Sequence, residues 1–96
     1  MIAVTAALTV KDGMEAAFIE AAQALAAAVR ANEPGCRLYT FSKSRNTPGL
    51  FLVLELYEDE AAIAAHRDSA HFKALSPALG ACLSGPPAVT PYDVVA

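Results

Sequence analysis

His66 and His71 are the only two histidines of this 96-residue chain, and both follow Glu55, the glutamate that closes an apolar run. Imidazole ordinarily titrates at about 6.5, so it can take up and return a proton near neutral pH, and a histidine with a carboxylate nearby points to general acid–base chemistry. His66 comes one turn after Ala62 and Ile63, toward the apolar side of a helix, where partial burial favours the neutral ring. His71 follows Ser69, a residue able to cap a new helical turn, and a first-turn imidazole near the positive end of the helix dipole is pushed the same way. Glu55 could accept a hydrogen bond from His66 and steady the imidazolium as the third member of a relay, or it could pair with Arg37 or Arg67. The plainer reading is a helix-end His66 satisfied by a carbonyl or by Glu55, with His71 facing solvent. The five-residue offset puts the rings on different faces of an unbroken helix, unlike the i, i+4 pair of a zinc helix, so no metal site is expected here.

Aromatic side chains supply the other half of a candidate site. Glu55 and Tyr57 share one side of a strand with Phe51 and Val53, and Tyr57 could donate a hydrogen bond to a substrate oxygen. Tyr39, Phe41, Phe51 and Phe18 could line a pocket for a flat aromatic ligand or simply fill the core, with Phe72 adding to the same apolar surface. No phosphate loop, dinucleotide fingerprint, serine elbow or metal-ligand cluster occurs, so no cofactor is expected. Cys36 and Cys82 stand alone, without a C-x-x-C pair, and read as free thiols.

Six elements must position these groups. Ile2 to Val10 alternates large apolar residues with small or hydroxyl ones, the period of a strand. Asp12 and Glu15 suggest a capping box, after which Phe18, Ala22, Leu25 and Val29 mark one face of a helix that runs to about Asn32 and stops at Pro34-Gly35. Arg37 to Ser44 and Leu50 to Tyr57 read as a hairpin joined by the turn residues Arg45 to Gly49. A second helix starts near Asp59 and is expected to break at Ser69 and again at Ser76-Pro77. Val89 to Val95 is a last strand, with Pro91 favouring an edge. The order βαββαβ predicts an α+β, ferredoxin-like fold over residues 1–96, one domain: a four-stranded antiparallel sheet, both helices on one face, and the first and third strands central.

Composition sets limits on partners. A chain with 55% hydrophobic and only 18% charged residues has more apolar surface than so small a monomer can bury, and Leu50 to Tyr57 is apolar on both faces. A second copy, sheet against sheet, is the expected cover. The net charge of −3 offers no basic face, so neither nucleic acid nor a membrane surface is an expected partner. No apolar run is long enough to span a bilayer and no charged n-region opens the chain, which makes the cytoplasm the expected compartment.

The stretch "ELYEDEAAIAAHRDSAHFK" from Glu55 to Lys73, together with "EPGCRLYTFSKS" and "LFLVLELYED", resembles the antibiotic biosynthesis monooxygenase family, small dimeric α+β barrels that include quinol monooxygenases. The resemblance implies a homodimer that oxidises an electron-rich quinol or polycyclic phenol with molecular oxygen and no bound cofactor. His66, His71 and Glu55 are the groups that could serve as its base. Antibiotic-pathway and haem-degrading members commonly use an Asn and a Trp. This chain has no tryptophan and no Asn in its first strand, which weakens both readings. Two alternatives remain: an isomerase of a small hydroxyketone or phosphorylated sugar-like molecule, for which Arg37, Arg45 and Arg67 would have to converge, and a noncatalytic ligand-binding dimer.

Overall fold

The computed structural model describes all 96 residues. Its elements are β1 (Ile2–Thr9), α1 (Glu15–Asn32), β2 (Cys36–Lys43), β3 (Leu50–Tyr57), α2 (Glu60–Asp68), α3 (Ala70–Gly80) and β4 (Ala88–Asp93). The strands form one sheet in the order β2-β3-β1-β4, and every pair is antiparallel. Each crossover skips one strand position, which places β1 and β3 in the centre as the ferredoxin-like order requires.

The alternation along β1 sorts its side chains cleanly. Val4, Ala6 and Leu8 are buried beneath the helices, while Ala3, Thr5 and Ala7 face the opposite side and are only half-buried. Phe18, Ala22, Leu25, Ala26 and Val29 form the buried stripe of α1. Fully burying a side chain such as Phe18, Leu25 or Val29 stabilises the fold by about 1.5–3 kcal/mol each, so this helix is held by its apolar face.

Two local expectations are corrected. Asp12 and Glu15 do not build a capping box: Met14 occupies the N-cap with no side-chain bond, and the chain enters the helix through a turn at Gly13, whose φ of 77° is a conformation that glycine tolerates at low cost. The helical region breaks once, not twice. Ser69 ends α2 and caps α3, whereas Pro77 lies inside α3, where the burial of Leu79 offsets the hydrogen bond that its missing N–H forgoes.

β4 is an edge strand, and all six of its residues are exposed. The helices pack over β1, β2 and β3 and stop short of it. The sheet face away from the helices is uncovered, with Leu38, Leu52 and Leu54 among the exposed large apolar residues.

Candidate active site

The site begins at a sharp change of chain direction. Asp59 caps α2 by accepting the N–H of Ala62 at 2.9 Å, and ten residues later the helix ends at Ser69, whose backbone is extended. The Ser69 hydroxyl donates to the His66 carbonyl at 2.7 Å and accepts the N–H of Phe72 at 3.2 Å, so a single side chain closes one helix and opens the next. The bend overrides the offset between the histidines: His66 in the last turn of α2 and His71 in the first turn of α3 face the same point.

Glu33 occupies that point. It is the C-cap residue of α1, only 9% exposed, and Nδ1 of His66 lies 3.0 Å from each of its carboxylate oxygens. Nε2 of His71 contacts Oε2 of the same carboxylate. A carboxylate can only accept, so the facing nitrogen of each ring carries the hydrogen. The approach of α1 to α2 is close because Gly35 follows: a Cβ built there would lie 2.9 Å from the Cβ of Ala62.

His66, 5% exposed, is packed by three rings, with centroid distances of 5.2 Å to Tyr39, 5.7 Å to Tyr57 and 4.6 Å to Phe72. Its Nε2 has no protein partner. No buried polar side-chain atom of the chain is left unsatisfied, so this nitrogen opens into the cavity that the ring helps to line.

The cavity has a volume of about 410 Å³ and lies between the sheet and α3. Val4, Leu8, Phe41 and Phe72 give it apolar walls, and Gly85, Pro86, Pro87 and Val89 form its rim beside β4. Its polar groups are few: His66, Glu55, Arg67 and the hydroxyls of Tyr39 and Tyr57 among them, the pattern of a small-molecule pocket.

Glu55 is not the partner of His66. It lies in the cavity wall and accepts a hydrogen bond of 2.5 Å from the Tyr57 hydroxyl, and Arg37 is engaged by Glu58 at 2.8 Å instead. Burial raises the Glu55 pKa above the ordinary carboxylate value, and the Tyr57 bond and nearby His66 offset this only in part. Burial, with Glu55 adding to it, also raises Tyr57. Tyr39 is raised beyond the ordinary phenol range by burial and then by Glu55 and Glu33; it stays protonated, with an unpartnered hydroxyl able to donate to a ligand. Burial pushes the Cys36 thiol to about 11, which keeps it from being a thiolate nucleophile near neutral pH.

His66, Glu55, Tyr57, Tyr39, Phe41 and Phe72 thus gather around one cavity. Phe51 does not reach it; it packs on Phe18 at 4.7 Å in the core, because the cavity lies toward the end of β3 that carries Val53, Glu55 and Tyr57. His71 lies behind Glu33 and is not part of the wall. Of Arg37, Arg45 and Arg67, only Arg67 lines the cavity, so the convergent cations that a phosphate needs are missing.

The carboxylate that sequence reasoning missed is Glu33. A glutamate just before Pro34-Gly35 reads as part of a helix stop, and nothing in its spacing ties it to histidines more than thirty residues away.

The family model for antibiotic biosynthesis monooxygenase matches residues 1–78, which contain the whole Glu33–His66–His71 cluster. The chain belongs to the antibiotic biosynthesis monooxygenase family. A crystal structure from Caulobacter crescentus CB15, described as a proposed member of that family, is 38% identical with a TM-score of 0.95, covering 99% of this chain and 90% of its own. A second, described as an antibiotic biosynthesis monooxygenase, is 27% identical with a TM-score of 0.91 and full coverage of both chains. A conserved protein from Methanosarcina mazei Go1 is 28% identical, with a TM-score of 0.88, covering 95% of this chain and 89% of its own. No curated protein matches at a significant level. Across this family the α+β architecture is shared, and the antibiotic biosynthesis monooxygenase fold of this chain carries its cavity between sheet and α3.

Proposed function

We propose that this protein is a cofactor-independent monooxygenase that oxidises a quinol or polycyclic phenol with molecular oxygen, with His66 as the base. The observation that carries the reading is His66 itself: Nδ1 is held by Glu33, Nε2 is free, and the ring stands in the wall of an apolar cavity. That arrangement suits removal of a phenolic proton. The substrate anion then supplies the electrons to oxygen, one oxygen atom ends on the ring, and the other leaves as water as the quinol becomes a hydroxyquinone. The apolar walls keep bulk water from the charged intermediate, and the Tyr39 hydroxyl can hold the second substrate oxygen.

The reading is tested with 1,4-dihydroxynaphthalene under air, scored as oxygen uptake above the protein-free rate. His66→Ala should lower turnover by about 10²- to 10⁴-fold, the contribution of a general base, while the protein keeps its fold and assembly. Full activity in that variant would sink the assignment.

We further propose that the active form is a homodimer paired through the open sheet face. On that face β3 presents Leu52, Leu54 and Leu56 directly beside Ala7, Thr5 and Ala3 of β1, so a ridge of leucines runs alongside a trough of small residues. A two-fold axis seats each copy's ridge in the other's trough, the self-complementarity that an isologous interface needs. Leu38 and Tyr92, 43% and 53% exposed, extend the apolar surface onto the flanking strands. Sedimentation at micromolar concentration should report one species of twice the chain mass, and a stable monomer would refute the pairing. A reducing compartment such as the cytoplasm fits the free thiols of Cys36 and Cys82.

A further inference from the structure

His71 takes no part in the reading above, yet it shares a buried carboxylate with the proposed base. Three observations bear on what it does there. Glu33 is the C-cap of α1, so its charge meets the negative end of the helix dipole, and its backbone N–H is spent on the Val29 carbonyl. The carboxylate therefore depends on side-chain donors, and the two histidine rings are the ones it has.

The His66 contact is also symmetric. Nδ1 is 3.0 Å from both Oε1 and Oε2, a bifurcated arrangement that leaves the carboxylate free to turn away from the ring unless a second donor holds it. His71 contacts Oε2 alone and removes that symmetry. Finally, nothing else around His66 distinguishes its two nitrogens: Tyr39, Tyr57 and Phe72 pack against the ring but make no hydrogen bond to it. Ring orientation and tautomer both rest on Glu33.

We propose that His71 is a positioning residue which, acting through Glu33, holds His66 as the Nδ1–H tautomer with the Nε2 lone pair in the cavity. This rests on the reading of His66 as the base. The bend at Ser69 makes the arrangement possible, since it turns the first residues of α3 back toward the end of α2. His71 touches no part of the cavity and acts only through the carboxylate.

The test compares His71→Leu, His71→Gln and His71→Asn, with nitrogen-15 NMR of the histidine rings in the substrate-free protein as the main readout. In the parent protein His66 should be a single Nδ1–H tautomer, the opposite of what free histidine prefers. His71→Leu should give a mixture of tautomers, with kcat toward 1,4-dihydroxynaphthalene lowered about tenfold, the lower end of what outer partners of functional histidines contribute, and KM unchanged. The Gln side chain can place an amide N–H near the position of Nε2 and should restore the tautomer and most of the rate. Asn is one carbon too short and should behave like Leu. If the Leu variant fails to fold, the Gln and Asn pair decides the matter. A pure Nδ1–H tautomer in His71→Asn, or a mixed one in His71→Gln, would overturn the proposal. The tautomer is read without substrate, so a protein that turns over no quinol but shows this pattern would defeat the catalytic reading alone. A protein that oxidises the quinol with a tautomer indifferent to His71 would defeat this inference alone.

Discussion

Glu33 and Glu55 are both withdrawn from water within the same half of the molecule, and they are solved differently. Glu33 sits behind the cavity wall at the end of α1 and is satisfied by two ring nitrogens. Glu55 sits in the wall itself and has a single phenol for a partner, so burial wins and its pKa rises. The first carboxylate organises other groups; the second is a polar group placed where a ligand can meet it. The difference follows from the elements that carry them. A helix end can be approached from several directions, while a strand in mid-sheet offers its side chain only the neighbours on one face.

Removing each carboxylate should expose that difference. Glu33→Ala leaves two ring N–H groups without their acceptor, and an unsatisfied buried donor costs about 1–3 kcal/mol. A loss of about 3 kcal/mol is expected, which for a domain of this size lowers Tm by roughly 4–8 °C per kcal/mol in a thermal unfolding scan. A Tm within a degree or two of the parent would mean that the cluster contributes nothing to the fold.

Glu55→Gln should act in the opposite direction and more weakly. A carboxylate whose folded pKa is raised favours the folded state below the unfolded pKa, about 4.3, and that contribution is lost as pH rises through the folded value. The charge is therefore a net cost near neutral pH. Gln can still accept the Tyr57 hydroxyl, so the substitution should raise Tm slightly at pH 7 and lose that advantage below about pH 4. A Glu55→Gln variant less stable than the parent at pH 7 would show that the Tyr57 bond or His66 outweighs the burial.

Much of the fold was legible from local pattern. The alternation of Ile2 to Val10, the stripe Phe18–Ala22–Leu25–Val29 and the doubly apolar Leu50 to Tyr57 each depend on residues that are neighbours along the chain, and each appears where its period puts it. Departures from the local pattern came at turns and where a neighbour in space replaced one in sequence. Asp12 gave way to a glycine turn, and Pro77 was absorbed because packing of Leu79 outlasts one missing hydrogen bond. Phe51 shares a face with Tyr57 and by spacing alone could serve pocket or core, but a face is longer than a cavity, and α1 claims that end with Phe18.

Sequence by itself determined the element order, the central place of β1 and β3, the burial of one helix stripe and the histidines as the groups able to move a proton, because periodicity, turn chemistry and side-chain pKa are local properties. Only the tertiary structure decided which carboxylate those histidines meet. Glu55 is eleven residues from His66 and Glu33 is thirty-three, yet a strand followed by a capped helix carries Glu55 into the cavity wall toward Tyr57, while the Pro34-Gly35 stop brings the end of α1 against Ala62. Ser69 then bends the chain so that two rings separated by five residues share one acceptor. Hydrogen-bond partners are chosen by distance in space, and no spacing along the chain encodes it.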